Sequence, residues 1–222
     1  MTRQQLWRLF ERDASSYEAW YDTRRGQRAD RAERALLEHL LAPFGAADSA
    51  VEIGCGTGHF TRWLAGRLTH VIGLDRAPAM LAEARRTHPG MTLVLGDAHR
   101  LPLQDRAVDL GIFVATLEFV ERPAAALAEA VRVARRGVCV AALNRWSRGG
   151  FSRRWGRDAH GVLRGRARDL TLPSLRAIAA TAAGARLRGI RWTSGLFPSS
   201  LIPEPARIPL GDVIGIALDL EP

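Results

Sequence analysis

Five short apolar runs alternate with longer amphipathic stretches: AVEI at 50–53, HVIGL at 70–74, TLVL at 92–95, VDLGIFV at 108–114 and VCVAAL at 138–143, with helical spacing near 59–68, 78–87 and 123–135. Runs that read apolar on both faces suit central strands, and such strands lie parallel when each helix between them returns the chain to the same edge. The rhythm predicts a doubly wound α/β sheet. At 222 residues and 47% hydrophobic content, the chain can bury one such core, so a single domain over 1–222 is expected.

The rhythm changes after Leu143. Residues 144–172 are rich in Gly and Arg; a helix (LPSLRAIAATAA) and two strand-like runs, ARLRGIRW and GDVIGIAL, then fill 173–222. The last two runs are expected to close the sheet as a hairpin, because the four prolines of SGLFPSSLIPEPARIPL make their linker a loop. At the other end, Leu6, Leu9, Phe10, Tyr17, Trp20 and Tyr21 follow a spacing of three and four, which predicts amphipathic helix within residues 1–42. No apolar run approaches the roughly 18 residues of a membrane span, and the amino terminus has no apolar centre of the signal-peptide kind, so a cytoplasmic address is expected. Cys55 and Cys139 have no ligand spacing to each other, and neither a disulfide nor a zinc site is expected.

A net charge of +9 is carried without a single lysine: all 32 basic residues are arginine. Two sources fit this bias. A GC-rich genome would replace lysine codons across the whole surface, and an anionic partner would select for positive charge.

The stretch VEIGCGTGHF, residues 51–60, sits after the first predicted strand and before a helix. Backbone amides and the positive helix end face a ligand at that place, and glycines at 54, 56 and 58 allow close approach. Its spacing is E-x-G-x-G-x-G rather than the G-x-G-x-x-G of dinucleotide sites. The stretch resembles motif I of the class I S-adenosylmethionine-dependent methyltransferases. VIGLD, LGDAHRLPL and the run from 107 to 143 resemble the later positions of that family, so the likeness covers 50–143. Within the class, LEFV at 117–120 and SYEAWYD at 16–22 most resemble the small-molecule branch typified by the ubiquinone and menaquinone biosynthesis methyltransferases.

The resemblance implies a Rossmann-like seven-stranded sheet in the order 3-2-1-4-5-7-6, strand 7 antiparallel, under an amino-terminal helical lid. It implies S-adenosyl-L-methionine as cofactor and S-adenosyl-L-homocysteine as product. Asp75 is then the carboxylate for both ribose hydroxyls, with Arg76 beside it, Met80 against the adenine, and Asp97 with Ala98 at the adenine amino group. Gly54, Cys55, Gly56, Gly58 and Phe113 complete the cofactor set. Two roles are open to Glu52: bonding the ligand's amino group or ordering the glycine loop. Tyr17 and Tyr21 either touch the cofactor or serve as core aromatics. Asp109, opening the fourth strand at the far edge, reads as structural.

Chemistry in this family is displacement at an already activated methyl group, so alignment supplies most of the acceleration. Phe119 stands where relatives often have histidine, which leaves Tyr21 and His160 as the weak candidates for a base. The acceptor side falls on 144–172, where residues 145–168 hold eight arginines against one aspartate around Trp146, Phe151 and Trp155. Phe119, Arg145, Trp146 and Arg148 are its candidate contacts. Such a mixture suits a small acceptor that is anionic, aromatic or quinone-like, or a peripheral contact with an anionic membrane. An RNA acceptor and a non-catalytic cofactor-binding role are the alternatives, and the metal expectation is none.

Overall fold

The computed structural model describes residues 7–147, 149–150, 167–168, 170–198 and 202–221. Seven strands form one sheet in the order β3-β2-β1-β4-β5-β7-β6. They are β1 (Ser49–Ile53), β2 (His70–Asp75), β3 (Thr92–Leu95), β4 (Val108–Val114), β5 (Ala134–Leu143), β6 (Leu187–Gly195) and β7 (Val213–Leu220). The first five pair in parallel; β7 runs antiparallel to both β5 and β6. This is the Rossmann-like sheet and strand order that the resemblance implies, with β6 and β7 as the closing hairpin.

Helices cover both faces. Helix α2 (Arg24–Leu41) and α3 (His59–Ala65) bury Leu36, Leu37, Leu40, Phe60, Trp63 and Leu64 against Leu110, Ile112, Cys139 and Ala217. On the opposite face α5 (Pro123–Val133) and α6 (Leu172–Ala183) place Leu127, Ala130, Leu175 and Ala179 over Val51, Phe113, Val140 and Ile216. Because every strand side chain in the middle of the sheet meets a helix, β1 and β4 are buried along their whole length. Helix α4 (Pro78–Thr87) carries Met80 and Ala77 packs beside it, and together they meet Ala14 of α1 (Trp7–Tyr17) in a small third cluster. The amphipathic segment that the spacing predicts is therefore not one helix. It breaks into α1, a 3-10 turn at Glu18–Asp22, and α2, whose first turn is capped by the Thr23 hydroxyl accepting from the Gly26 amide.

One buried charge fixes the sheet edge remote from the glycine loop. Asp109 accepts from the amides of Asp48 and Ser49, from the Ser49 hydroxyl and from Arg135 Nε, at 3.0–3.2 Å. Burial opposes its ionisation, but these bonds prevail and hold the carboxyl down at about 2. A carboxyl lowered in the folded chain stabilises it above the ordinary aspartate range, and that contribution is lost as pH falls from about 4 toward 2. Asp109→Ala is expected to destabilise the chain by about 2 kcal/mol at neutral pH, measured by urea unfolding, with the difference shrinking on acidification below about 4.

Candidate functional site

The glycine loop turns the chain from β1 into α3 with positive φ at Gly54, Gly56 and Gly58 (78°, 55° and 80°). Two of these glycines differ in what they leave empty. A Cβ on Gly54 would lie 2.2 Å from Thr116 Cγ2, so that position is closed by the protein's own packing. At Gly56 a Cβ would meet only Tyr17 Cε1, at 4.0 Å, so the space above this residue is left for something other than the chain.

That space belongs to a cleft that opens to solvent at the carboxyl ends of β1, β2 and β4. It lies where the strand order reverses around β1, the place at which doubly wound sheets take ligands. Glu52, Gly54, Cys55, Gly56, Asp75, Arg76, Met80, Asp97 and Ala98 all line it, as do Tyr17, Tyr21 and Phe119. Phe113 does not: it is wholly buried among the α5-side core residues. Arg145 and Trp146 follow β5 and lie outside the cleft lining, while Arg148 and His160 fall outside the described residues.

Asp75 stands at the tip of β2. Its Oδ2 accepts from the Gly56 amide and its Oδ1 from the Ala77 amide, each at 2.8 Å. The carboxylate thus braces the glycine loop against β2 while keeping further lone pairs for a ligand. Burial raises its pKa, with the amide bonds pulling the other way. Asp97 is more open; burial raises it less than the His99 amide and ring and Arg76 lower it, so it stays below the usual range. His99 Nδ1 lies 2.7 Å from Asp97 Oδ1, and Arg76 lies 3.4 Å from Oδ2 and 5.5 Å over the Trp7 ring. Glu52 is 2% exposed, and burial pushes it up to about 8 against a hydrogen bond from the Thr61 hydroxyl. Both roles open to it are therefore chemically available: it joins β1 to α3, and its buried carboxyl suits a cationic amino group.

Lid and loop are clasped through one carboxylate. Glu18 accepts from Thr57 Oγ1 at 2.5 Å and from Arg62 Nη2 at 2.6 Å, and lies 3.5 Å from His59 Nδ1. Burial works against the charge, but His59, Thr57 and Arg62 hold its pKa down at about 2. His59 in turn presents Nε2 to Asp30 at 2.6 Å and stacks on Tyr21, with ring centres 3.6 Å apart and planes 5° from parallel. Burial raises the phenols of Tyr17 and Tyr21 and the thiol of Cys55, so all three keep their protons. Trp7, Phe10, His59, Ala115 and Thr116 also line the cleft, although the sequence reading assigned them no role. Ala115 has a φ of 47°, a strained turn directly after β4 and the kind of outlier that gathers at functional sites.

The donor set fits an adenosyl ligand. An open glycine turn, a carboxylate at the second strand, another at the third, a buried methionine and a buried acid are the parts that such a cofactor needs. Fold and cleft together define a class I S-adenosylmethionine-dependent methyltransferase domain. Residues 51–142 match the family described as "Methyltransferase domain".

Among curated relatives, the malonyl-[acyl-carrier protein] O-methyltransferase of Serratia marcescens is 34% identical over 139 residues, covering 62% of this chain and 51% of that protein. The protein of the same name from a Marinomonas species is 32% identical, covering 69% and 57%. The chain thus spans little more than half the length of these two relatives. A solved SAM-dependent methyltransferase from Thermotoga maritima superposes with a TM-score of 0.79 at 26% identity, covering 96% of this chain and 99% of that one.

Asp75→Ala removes both the loop brace and the ligand-facing carboxylate. It is expected to weaken S-adenosylhomocysteine binding about tenfold to a hundredfold in a calorimetric titration; unchanged affinity would contradict the assignment. Glu18→Ala should free the lid, raising the rate of limited tryptic cutting after Arg24 and Arg25 by roughly tenfold while the core stays intact.

Proposed function

We propose that this chain transfers the methyl group of S-adenosylmethionine to a small acceptor with an apolar body and an already ionised or unprotonated nucleophile. The observation that carries this reading is the aromatic wall of the cleft. Phe10 of the lid meets Phe119 of the β4–α5 loop edge to face at 5.2 Å and Tyr17 at 6.2 Å, and Tyr17 meets Tyr21 at 6.3 Å. These rings, with Val114 and Val120, make the part of the cleft beyond the acidic cofactor residues apolar.

When bound, the cofactor's sulfonium supplies a methyl group that is already activated for displacement. The residues of this chain then have three tasks: Asp75, Asp97 and the glycine loop orient, the lid excludes water, and the aromatic wall aligns the acceptor. Proton removal has poor support at five of the described cleft residues, among them His99, whose Nδ1 meets Asp97 and whose Nε2 accepts from the Arg122 amide. Tyr17 and Tyr21 hold their protons, and Glu52 bonds Thr61. His59 directs one ring nitrogen to Asp30 and the other toward Glu18. A carboxylate oxygen needs no base, and the relatives named as malonyl O-methyltransferases accord with an oxygen acceptor. The arginine-rich segment argues separately for negative charge on the acceptor; of its described residues, Arg145 and Trp146 lie outside the cleft lining, while Arg168 donates to the carbonyl of the cleft residue Glu121 at 2.9 Å.

A screen of apolar carboxylates with methyl-labelled cofactor tests this reading. Phe119→Ala is expected to raise KM for an accepted compound about tenfold or more while changing S-adenosylhomocysteine affinity by less than about threefold. Equal losses in both would place Phe119 in cofactor binding instead.

A further inference from the structure

Trp146, Ile208 and Leu210 are large apolar residues left 48%, 40% and 55% exposed. Single exposed apolar side chains are ordinary, but these three come from two loops that are locked into one unit. The lock is Asn144, which is completely buried. Its side-chain amide donates to the carbonyls of Pro209 and Gly211 at 3.0 and 2.9 Å, and its Oδ1 accepts from the Trp146 amide at 3.1 Å. The Asn144 amide adds a bond to the Asp212 carbonyl, and the Ser194 hydroxyl holds the carbonyl of Ile208. Five backbone or side-chain bonds would have to move before this patch could fold its apolar groups away.

Its position is set by register. Leu143, the last residue of β5, pairs with Val213, the first of β7, so the patch caps the carboxyl edge of the parallel strands. The cleft opens on that same edge, at β1 and β4. Among the described residues the charge beside the patch is positive, with Arg145 and Arg207 exposed. The acids nearest in sequence are engaged, Asp212 accepting from the Gly149 amide and Glu204 from the Phe197 amide.

An indole and two aliphatic side chains on a rigid loop pair, flanked by guanidinium groups, match the boundary between lipid headgroups and acyl chains. The indole favours that boundary, the aliphatic groups gain by shallow burial, and guanidinium pairs bidentately with phosphate. We propose that this edge docks on an anionic lipid bilayer, with Trp146, Ile208 and Leu210 entering the headgroup region and Arg145 and Arg207 contacting lipid phosphates. The contact is peripheral, since among the described residues no helix is long and apolar enough to cross a membrane. It does not depend on which acceptor is methylated. Docking this way sets the cleft mouth, which begins at the neighbouring strand β4, beside the bilayer.

Cosedimentation of the whole chain with vesicles tests it, using phosphatidylcholine alone and phosphatidylcholine with roughly one third phosphatidylglycerol. The anionic vesicles are expected to bind at least about tenfold more protein at low salt. A Trp146→Ser, Leu210→Ser double variant should lose about tenfold in partitioning with an unchanged thermal midpoint, and Leu210→Ser alone should lose about threefold. Arg145→Gln with Arg207→Gln should abolish much of the preference for anionic lipid. Failure of the wild-type chain to bind either vesicle overturns the proposal, as does a double variant that partitions like wild type. A lipid-free dimer that the double variant dissolves would also overturn it, assigning the patch to a second copy of the chain.

Discussion

The site is built on the 2.8 Å hydrogen bond from the Gly56 amide to the Asp75 carboxylate. It ties the loop leaving β1 to the tip of β2, and it exists only because Gly56 holds a φ of 55°, a conformation that costs other residues energy. The second oxygen of the same carboxylate holds the Ala77 amide at the start of α4, beside the buried Met80. A single acidic side chain therefore sets the relative positions of loop, strand and helix, and its unused lone pairs face the space the glycine leaves open. Burial penalises the charge, so a binding partner rich in hydroxyl donors is what the arrangement favours.

A second carboxylate closes the cleft. Glu18 reaches from the 3-10 turn between α1 and α2 to Thr57, Arg62 and His59, so the lid is attached to the glycine loop itself rather than to the sheet below. The same lid carries Phe10 and Tyr17 of the aromatic wall, so the clasp at Glu18 connects that wall to the glycine loop. Closing a site in this way substitutes fixed dipoles for water around a displacement reaction. The chain carries a net charge of +9, yet its cleft is lined by the carboxyl groups of Asp75, Asp97 and Glu121 as well as by Arg76.

Much of this was legible in the sequence, for reasons that differ by element. The bounds of β4 and α6 coincide with the runs VDLGIFV and LPSLRAIAATAA, the first because it is buried along its whole length and the second because Leu172, Leu175, Ala179 and Ala183 bury one helical face. Strand β5 begins at Ala134 rather than Val138: Arg135 and Arg136 hide its start, and Arg135 is there to meet Asp109 at the edge. The cleft-lining residues Glu52, Gly54, Cys55, Gly56, Asp75, Met80 and Asp97 were readable through the family resemblance, whose motif spacing puts them at adjacent strand tips; Gly58, read with them, does not line the cleft. Phe113 was not, since a strand buried on both faces gives no alternation to say which side a residue takes. His59, Thr116 and Trp7 depend on how the lid packs across the loop, a tertiary fact with no local signal. The aromatic wall likewise comes from pairing Phe10 with Phe119 across more than a hundred residues.

The central claim is that the space between Gly56, Asp75 and the lid holds an adenosyl ligand. A crystal structure of the chain grown with S-adenosylhomocysteine tests it most directly. The account expects the ribose hydroxyls at Asp75, the adenine between Met80 and Asp97, and the lid clasp through Glu18 intact over the ligand. Ligand density elsewhere on the chain, or an empty cleft in crystals saturated with the compound, would contradict it.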